Sequence, residues 1–280
     1  MDLLDKINDL FTLQQEQWPQ LKTAIGQRDM IREKVFSWGD DFRATVQYNP
    51  ARIVSTGAGI DQKTIEKRPC FLCEENRHPL QKGIPFLGKY VILCNPFPIL
   101  ENHLTIPLHS HVPQRIRRKA GDMLSLAEQL PGYVVFYNGP RSGASAPDHF
   151  HLQAGLRTAV LMQGDHALRT CMMIESTDKE EVEELFEDVY QYLHHLQPNE
   201  EEPMMNVIAF TEQNRYKLHL FPRKAHRPRQ YFEEGHKKLM ISPGALDMAG
   251  FIITVREEDF NKIGPDDIED IYAQVSLSVI

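Results

Sequence analysis

Apolar residues open the chain at helical spacing: Leu3, Leu4, Ile7, Leu10 and Phe11 predict a helix over residues 2–27. Alternation then takes over, and residues 42–48 read as a strand closed by the turn Asn49-Pro50. Residues 51–55 are expected to continue extended, with Gly57-Ala58-Gly59 as a loop. Residues 90–94 are dense in β-formers and are stopped by Asn95-Pro96-Phe97-Pro98. A second short strand follows at 103–107, then a helix over 114–129 with Ile116, Met123, Leu124 and Leu126 apolar. Residues 133–137 are a strand, 138–147 a loop of small residues, and 149–156 another strand. The second half repeats this grammar, with strands at 170–174, 205–210, 217–221 and 251–255 and helices at 179–196 and near 266–275. One internal echo accompanies it: His103 to Pro107 followed by His109 and His111 is similar to Leu218 to Pro222 followed by His226.

Composition narrows the class. The chain has 280 residues, 41% hydrophobic and 25% charged, which is ordinary for a globular protein with a sizeable core. Lys plus Arg number 31 against 39 Asp plus Glu, a net charge of −8, so no nucleic-acid partner is expected. No apolar run approaches the ~20 residues of a membrane span, and the acidic residues among the first apolar ones do not read as a signal peptide. A cytoplasmic location is the expectation.

The chain has four cysteines: Cys70, Cys73, Cys94 and Cys171. Cys70-Phe-Leu-Cys73 is a Cys-x-x-Cys pair. A redox motif wants a preceding strand and a helix starting at the first cysteine. Here Arg68-Pro69 precedes the pair and Glu74-Glu75-Asn76-Arg77-His78-Pro79 follows, a polar knuckle better suited to half a metal site, with incidental structural cysteines as the plain alternative.

The segment His149-Phe150-His151-Leu152-Gln153 carries the candidate chemistry. On a strand, His149, His151 and Gln153 would share one face and Phe150 and Leu152 the other. Directly upstream, Arg141-Ser142-Gly143-Ala144-Ser145 is a loop of small residues whose backbone N–H groups can approach an anion closely. A neutral imidazole beside such a cradle can attack phosphorus, and a glutamine nearby can donate to a phosphoryl oxygen. Two histidines on an amphipathic strand are otherwise only polar surface.

Residues Ser142 to Gln153 resemble the active-site segment of the histidine-triad superfamily, in the His-x-His-x-Gln branch. That branch contains galactose-1-phosphate uridylyltransferase, diadenosine tetraphosphate phosphorylase and the GDP-hexose phosphorylases. The resemblance implies that His151 is the nucleophile that takes up a nucleoside monophosphate and that Gln153 is its phosphate-oxygen partner. It implies Ser145 at the phosphate and Asn138 near the nucleophile. From the uridylyltransferases it implies a structural zinc on Cys70, Cys73, His109 and His149, with His111 and His103 competing for the third position. The resemblance is good over residues 40–160. Beyond that, Asn206 to Phe210, Tyr216 to Arg223 and Gly244 to Gly250 look more like the second half of the GDP-hexose phosphorylases.

Other candidates are softer. Arg52 and Arg141 are phosphate ligands or surface. Lys217, Arg223, Lys224, Arg227 and Arg229 form a basic cluster that is either a solvated loop or a clamp on a second phosphate or the acceptor.

The expected fold is α+β, histidine-triad-like: two related halves of antiparallel sheet with flanking helices. Residues 1–160 would be the catalytic half with N-terminal helix and zinc knuckle, and 161–280 a second, degenerate half. The expected function is nucleotidyl transfer from a nucleoside diphosphate-sugar or dinucleoside polyphosphate through a nucleotidyl-His151 intermediate, with phosphate or a sugar 1-phosphate as acceptor. Two alternatives stay open: a nucleotide hydrolase using the same histidine with water, and a zinc-stabilised, non-catalytic nucleotide-binding protein. The uridylyltransferases are dimers, so a homodimer is the expectation the resemblance carries.

Overall fold

The computed structural model describes residues 1–53 and 62–279. β1 (Arg32–Trp38) and β2 (Phe42–Tyr48) form a hairpin, and β11 (Phe251–Thr254) joins β2 in parallel. The main sheet has eight antiparallel strands in the order β3 (Gly83–Phe86), β4 (Tyr90–Cys94), β5 (Leu104–Pro107), β7 (His151–Leu156), β6 (Tyr133–Asn138), β9 (Met205–Glu212), β10 (Arg215–Pro222), β8 (Met172–Ser176). The architecture is α+β, antiparallel sheet with flanking helices, as the sequence predicted.

β6 lies near the middle and is buried along its whole length. Tyr133, Val135 and Tyr137 enter one core while Val134 and Phe136 enter the other, as side chains on a strand must alternate. The first core lies under the helices Leu3–Gln17, Ala120–Gln129 and Lys179–Leu196. Helix Lys179–Leu196 buries Val182, Phe186, Tyr190 and Leu193, a single stripe at helical spacing, and Asp178 caps it by accepting from the Glu180 N–H at 2.9 Å. The second core lies under β1–β2–β11 and the helices Glu257–Lys262 and Pro265–Val275.

Each half of the chain adds a strand, a helix and two further strands. β5, Ala120–Gln129, β6 and β7 come from the first; β8, Lys179–Leu196, β9 and β10 come from the second. The two sets meet at β6 and β9, with Asn138 opposite Asn206 and Phe136 opposite Ile208. Across this junction β7 corresponds to β10. His219 stands opposite Ile208 as Gln153 stands opposite Phe136, and Phe221 stands opposite Asn206. The second half thus has a phenylalanine at the register of His151. The sequence echo between 103–107 and 218–222 is not a structural equivalence, because β5 is third from the junction and β10 second.

Several predicted boundaries move. The N-terminal helix breaks at Trp18, because Pro19 cannot donate an N–H and restarts a helix at Pro19–Gly26. The central helix begins at Ala120, not at 114, which frees Gln114. β7 begins at His151, so His149 lies in the preceding turn and not in a row with His151 and Gln153. Pro50–Arg52 is a 3-10 turn instead of extended chain, while the rest of the predicted 51–55 run beyond Ile53 and the glycine loop at 57–59 lie outside the described residues. Among the described residues no helix is long and apolar enough to cross a membrane.

Candidate active site

His151 opens β7 and is 4% exposed. Its Nδ1 lies 2.8 Å from its neighbour His149's carbonyl oxygen, which can only accept, so Nδ1 carries the proton and Nε2 keeps its lone pair. Burial, the larger effect, pushes the His151 imidazolium down to about 4, so the ring is neutral near pH 7. A neutral ring with an open lone pair is the form that can attack phosphorus.

The backbone of His151 is held by a residue the sequence reading placed in a helix. The β6–β7 register ends at Phe136–Gln153, and Asn138 and His151 would be the next pair facing the same way. There the strands splay, and the Gln114 carboxamide fills the opening. Its Oε1 accepts from the His151 N–H at 2.8 Å. Its Nε2 donates to the His151 and Asn138 carbonyls, both at 3.0 Å. Gln114 is fully buried, and its own carbonyl accepts from the Tyr137 hydroxyl at 3.0 Å. Tyr137 and Tyr190 in turn contact the buried Glu202 carboxylate, both at 2.9 Å.

Gln153 is aimed the same way, by His103. The Ile99 N–H donates to His103 Nδ1 at 3.0 Å, so the proton of this neutral ring is on Nε2, which donates to Gln153 Oε1 at 3.0 Å. Burial first, and then the charge of Arg52, pushes His103 down to about 3. With its oxygen taken, Gln153 presents its NH2 group. With both ring nitrogens engaged by Ile99 and Gln153, His103 lies outside the group that could hold a metal ion. Arg52 is partly buried and donates to the Phe97 carbonyl at 2.9 Å.

The loop between β6 and β7 is tight: the Ser142 and Ala144 N–H groups, expected to face an anion, both donate to the Gly139 carbonyl, at 2.9 and 3.3 Å. Gly143 sits at φ +100°, and a Cβ there would come within 3.0 Å of the Pro243 carbonyl, so only glycine fits. Ser142 and Ala144 are buried, and Ser145 is half-buried with its carbonyl accepting from Arg68 at 3.2 Å. The Ser142 hydroxyl is buried with no partner among the described residues. Arg141 is exposed and pairs with Glu200. The sequence-predicted basic cluster disperses: Lys217 pairs with Glu212 and Glu175, Arg229 pairs with Asp270, and Arg223 is fully buried.

Beside His151 lies a group that could hold a metal ion: Cys70, Cys73, His111 and His149, with ligand atoms all within 4.8 Å of one another. His149 Nδ1 is 3.3 Å from Cys70 Sγ and 3.5 Å from Cys73 Sγ, and His111 Nδ1 is 3.1 Å from Cys73 Sγ. Tetrahedral zinc with ordinary Zn–S and Zn–N lengths separates S from N by about 3.5 Å, so the donor set and spacing fit that ion. His149 Nε2 faces the Leu108 carbonyl at 2.8 Å, which puts the proton there and leaves the Nδ1 lone pair facing the cysteine sulfurs, free to ligate. His109 is corrected: it is exposed and outside this group, and His111 stands in its place. Both lie in one loop, where spacing does not reveal direction.

A family model described as "Domain of unknown function (DUF4922)" matches residues 10–156, over half of the chain, and the chain belongs to that family. A second model, described as "GDPGP1-like, C-terminal domain", matches residues 165–279. No curated protein matches the sequence. Among solved structures, yeast Ap4A phosphorylase Apa2 in complex with Ap4A is similar at 16% identity and TM-score 0.68, over 98% of this chain and 97% of that one. The same yeast enzyme without Ap4A is similar at 15% identity and TM-score 0.63, covering 92% and 96%. In complex with AMP it gives 17% and 0.58, covering 91% and 95%. The fold is that of the histidine-triad branch to which the His-Phe-His-Leu-Gln segment pointed.

Proposed function

We propose that the chain is a nucleotidyltransferase of the phosphorylase or hexose-1-phosphate type. It would act on a nucleoside diphosphate-sugar or a dinucleoside polyphosphate. The observation that carries this reading is the buried, neutral His151 with its proton fixed on Nδ1, at the foot of a glycine-containing loop. The Apa2 likeness at TM-score 0.68, with that enzyme bound to Ap4A, and the GDPGP1-like match support it.

In the first step His151 Nε2 attacks the α-phosphorus. A P–N bond forms, and the P–O bond to the leaving phosphate breaks with its electron pair on the departing oxygen. The Gln153 NH2, its oxygen held by His103, donates to a non-bridging oxygen where charge accumulates. Gln114 keeps the imidazole's backbone fixed, so little reorganisation is needed. In the second step an oxygen of inorganic phosphate or of a sugar 1-phosphate attacks phosphorus, and the P–N bond breaks. Two displacements conserve the phosphoanhydride energy for the acceptor.

Zinc on Cys70, Cys73, His111 and His149 would be structural, clamping the knuckle to the turn that leads into β7. No proton or phosphoryl group passes through it.

Initial rates at varied donor and acceptor test the reading. Parallel double-reciprocal lines are expected, with phosphate or a sugar 1-phosphate required for turnover. Monophosphate release with water alone would favour the hydrolase. Tight nucleotide binding with no turnover would favour a binding module.

A further inference from the structure

We infer that Arg223, in the second half of the chain, is the remote cation that gives the cradle its affinity for negative charge, acting through Asn206 and Asn138. The inference rests on the transfer reading for its meaning, but its geometry stands apart.

Asn138 and Asn206 are paired across β6 and β9, and His151 lies on β7 one step past its last pair with β6, on the side-chain face of Asn138. Arg223 follows the end of β10, is fully buried, and has five N–H donors. Nε donates to Val275 O at 3.2 Å. Nη1 donates to Asn206 Oδ1 at 2.5 Å and Pro243 O at 3.0 Å. Nη2 donates to the Ala225 and His226 carbonyls, both at 3.0 Å. All five acceptors are neutral oxygens, so no carboxylate touches the guanidinium, and the buried Asp247 carboxylate opposes its charge only from a distance. An interior cation held this way favours an anion nearby.

The chain of dipoles has a fixed direction. Arg223 can only donate, so the Asn206 atom it meets is oxygen. Asn206 Nδ2 then donates to the Ser142 carbonyl at 2.6 Å and to Asn138 Oδ1 at 2.9 Å. Asn138 Oδ1 also accepts from the Ala245 N–H at 2.7 Å, which fixes its orientation independently. The Asn138 NH2 is what remains, with no acceptor among the described residues, in a residue 9% exposed beside His151. Aligned hydrogen bonds polarise one another, so the donor at the end of the chain is strengthened. A Cβ at Gly244 would come within 2.9 Å of Asn138 Oδ1, so glycine is needed there for the amide to keep this pose. Asp247 holds that glycine by accepting from its N–H at 2.9 Å. The second half carries Phe221 at the register of His151 and supplies a charge instead.

The test uses the full chain as wild type, Arg223→Met and Asn206→Leu. One readout is the single-turnover rate at which His151 takes up the nucleotidyl group. A second is the side-chain amide resonance of Asn138 in 15N-labelled protein, titrated with inorganic phosphate. Affinity for the uncharged nucleoside and the thermal unfolding midpoint serve as controls. Both variants are expected to lose at least tenfold in rate and to lose the phosphate-induced shift of Asn138, with nucleoside affinity unchanged. A purely structural role would lower the unfolding midpoint and leave rate and shift intact in the folded protein, which overturns the inference. If Arg223→Met does not fold, Asn206→Leu carries the same readouts. Wild type that forms no adduct yet shows the shift, lost in the variants, refutes the transfer reading and upholds this one. Wild type showing neither sinks both.

Discussion

Truncating Gln114 to alanine would remove three hydrogen bonds from the point where β6 and β7 part, leaving the His151 N–H and the Asn138 carbonyl unpaired in the interior. Each orphaned buried group costs about 1–3 kcal/mol, so Gln114→Ala is expected to lose about 2–4 kcal/mol in urea unfolding. A loss under half a kcal/mol would mean that the amide is not holding the splay. His151 and Gln153 were legible in the sequence because a period of two displays them on one strand face. Gln114 was not, because Ile116 and the apolar residues after it extended the helical pattern over a segment that is irregular. Arg223 was visible only as one of a basic cluster and Asn206 only as the start of a strand; the link between them arises from register between strands far apart in sequence, which local patterning does not show. His103 was visible only as a rival zinc ligand, because its partner Gln153 lies 50 residues away.

At the scale of elements, the knuckle at Cys70–Cys73 meets His149, the turn before β7, and His111, and Cys70 and Leu72 also pack on Ala146. Gln14 ties the first helix to the chain just after the knuckle, donating to Leu80 O and accepting from Lys82 N–H, both at 2.9 Å. Purified protein is expected to hold about one zinc per chain by elemental analysis. Cys70→Ser is expected to release it and to lower the unfolding midpoint by several degrees, since metal binding to a folded site is folding free energy. His109→Ala is expected to do neither. Protein that contains no metal and is indifferent to chelators would remove the zinc. The pair of cysteines was readable from its turn-rich flanks, whereas the choice between two histidines depended on how a loop turns. β1 escaped the pattern because it is an edge strand with charged and half-exposed positions, Arg32, Glu33 and Lys34 among them.

At the scale of the whole molecule, the eight-stranded sheet runs unbroken across both parts of the chain, and the separate three-stranded sheet takes β1 and β11 from opposite ends of the sequence. The repeating grammar of strands and helices made the α+β class readable, but the shared sheet was not, since β6–β9 pairing is a long-range choice. Burial of histidines throughout it sets the acid response. His103 and His226 are pushed down to about 3 and His219 to about 4, each chiefly by burial. The unfolded chain binds these protons near pH 6.5, so it holds more protons than the folded one below that pH and stability falls with acid. Asp247 works the other way: burial raises it to about 6, so its contribution is present in acid and is lost as pH rises from about 4 to 6. Three histidines outweigh one aspartate, and the urea midpoint is expected to fall steadily from pH 7 to pH 4.5. A flat or rising midpoint would contradict the burial of these rings. The claim on which the functional account stands is covalent, and intact mass spectrometry reads it directly. Wild-type protein is incubated with dinucleoside polyphosphates and nucleoside diphosphate-sugars in the absence of acceptor. One nucleotidyl group, about 18 Da lighter than the free nucleoside monophosphate, is expected at His151, discharged by phosphate or a sugar 1-phosphate and absent from His151→Asn. An unmodified wild type, or an adduct that persists in His151→Asn, would contradict it.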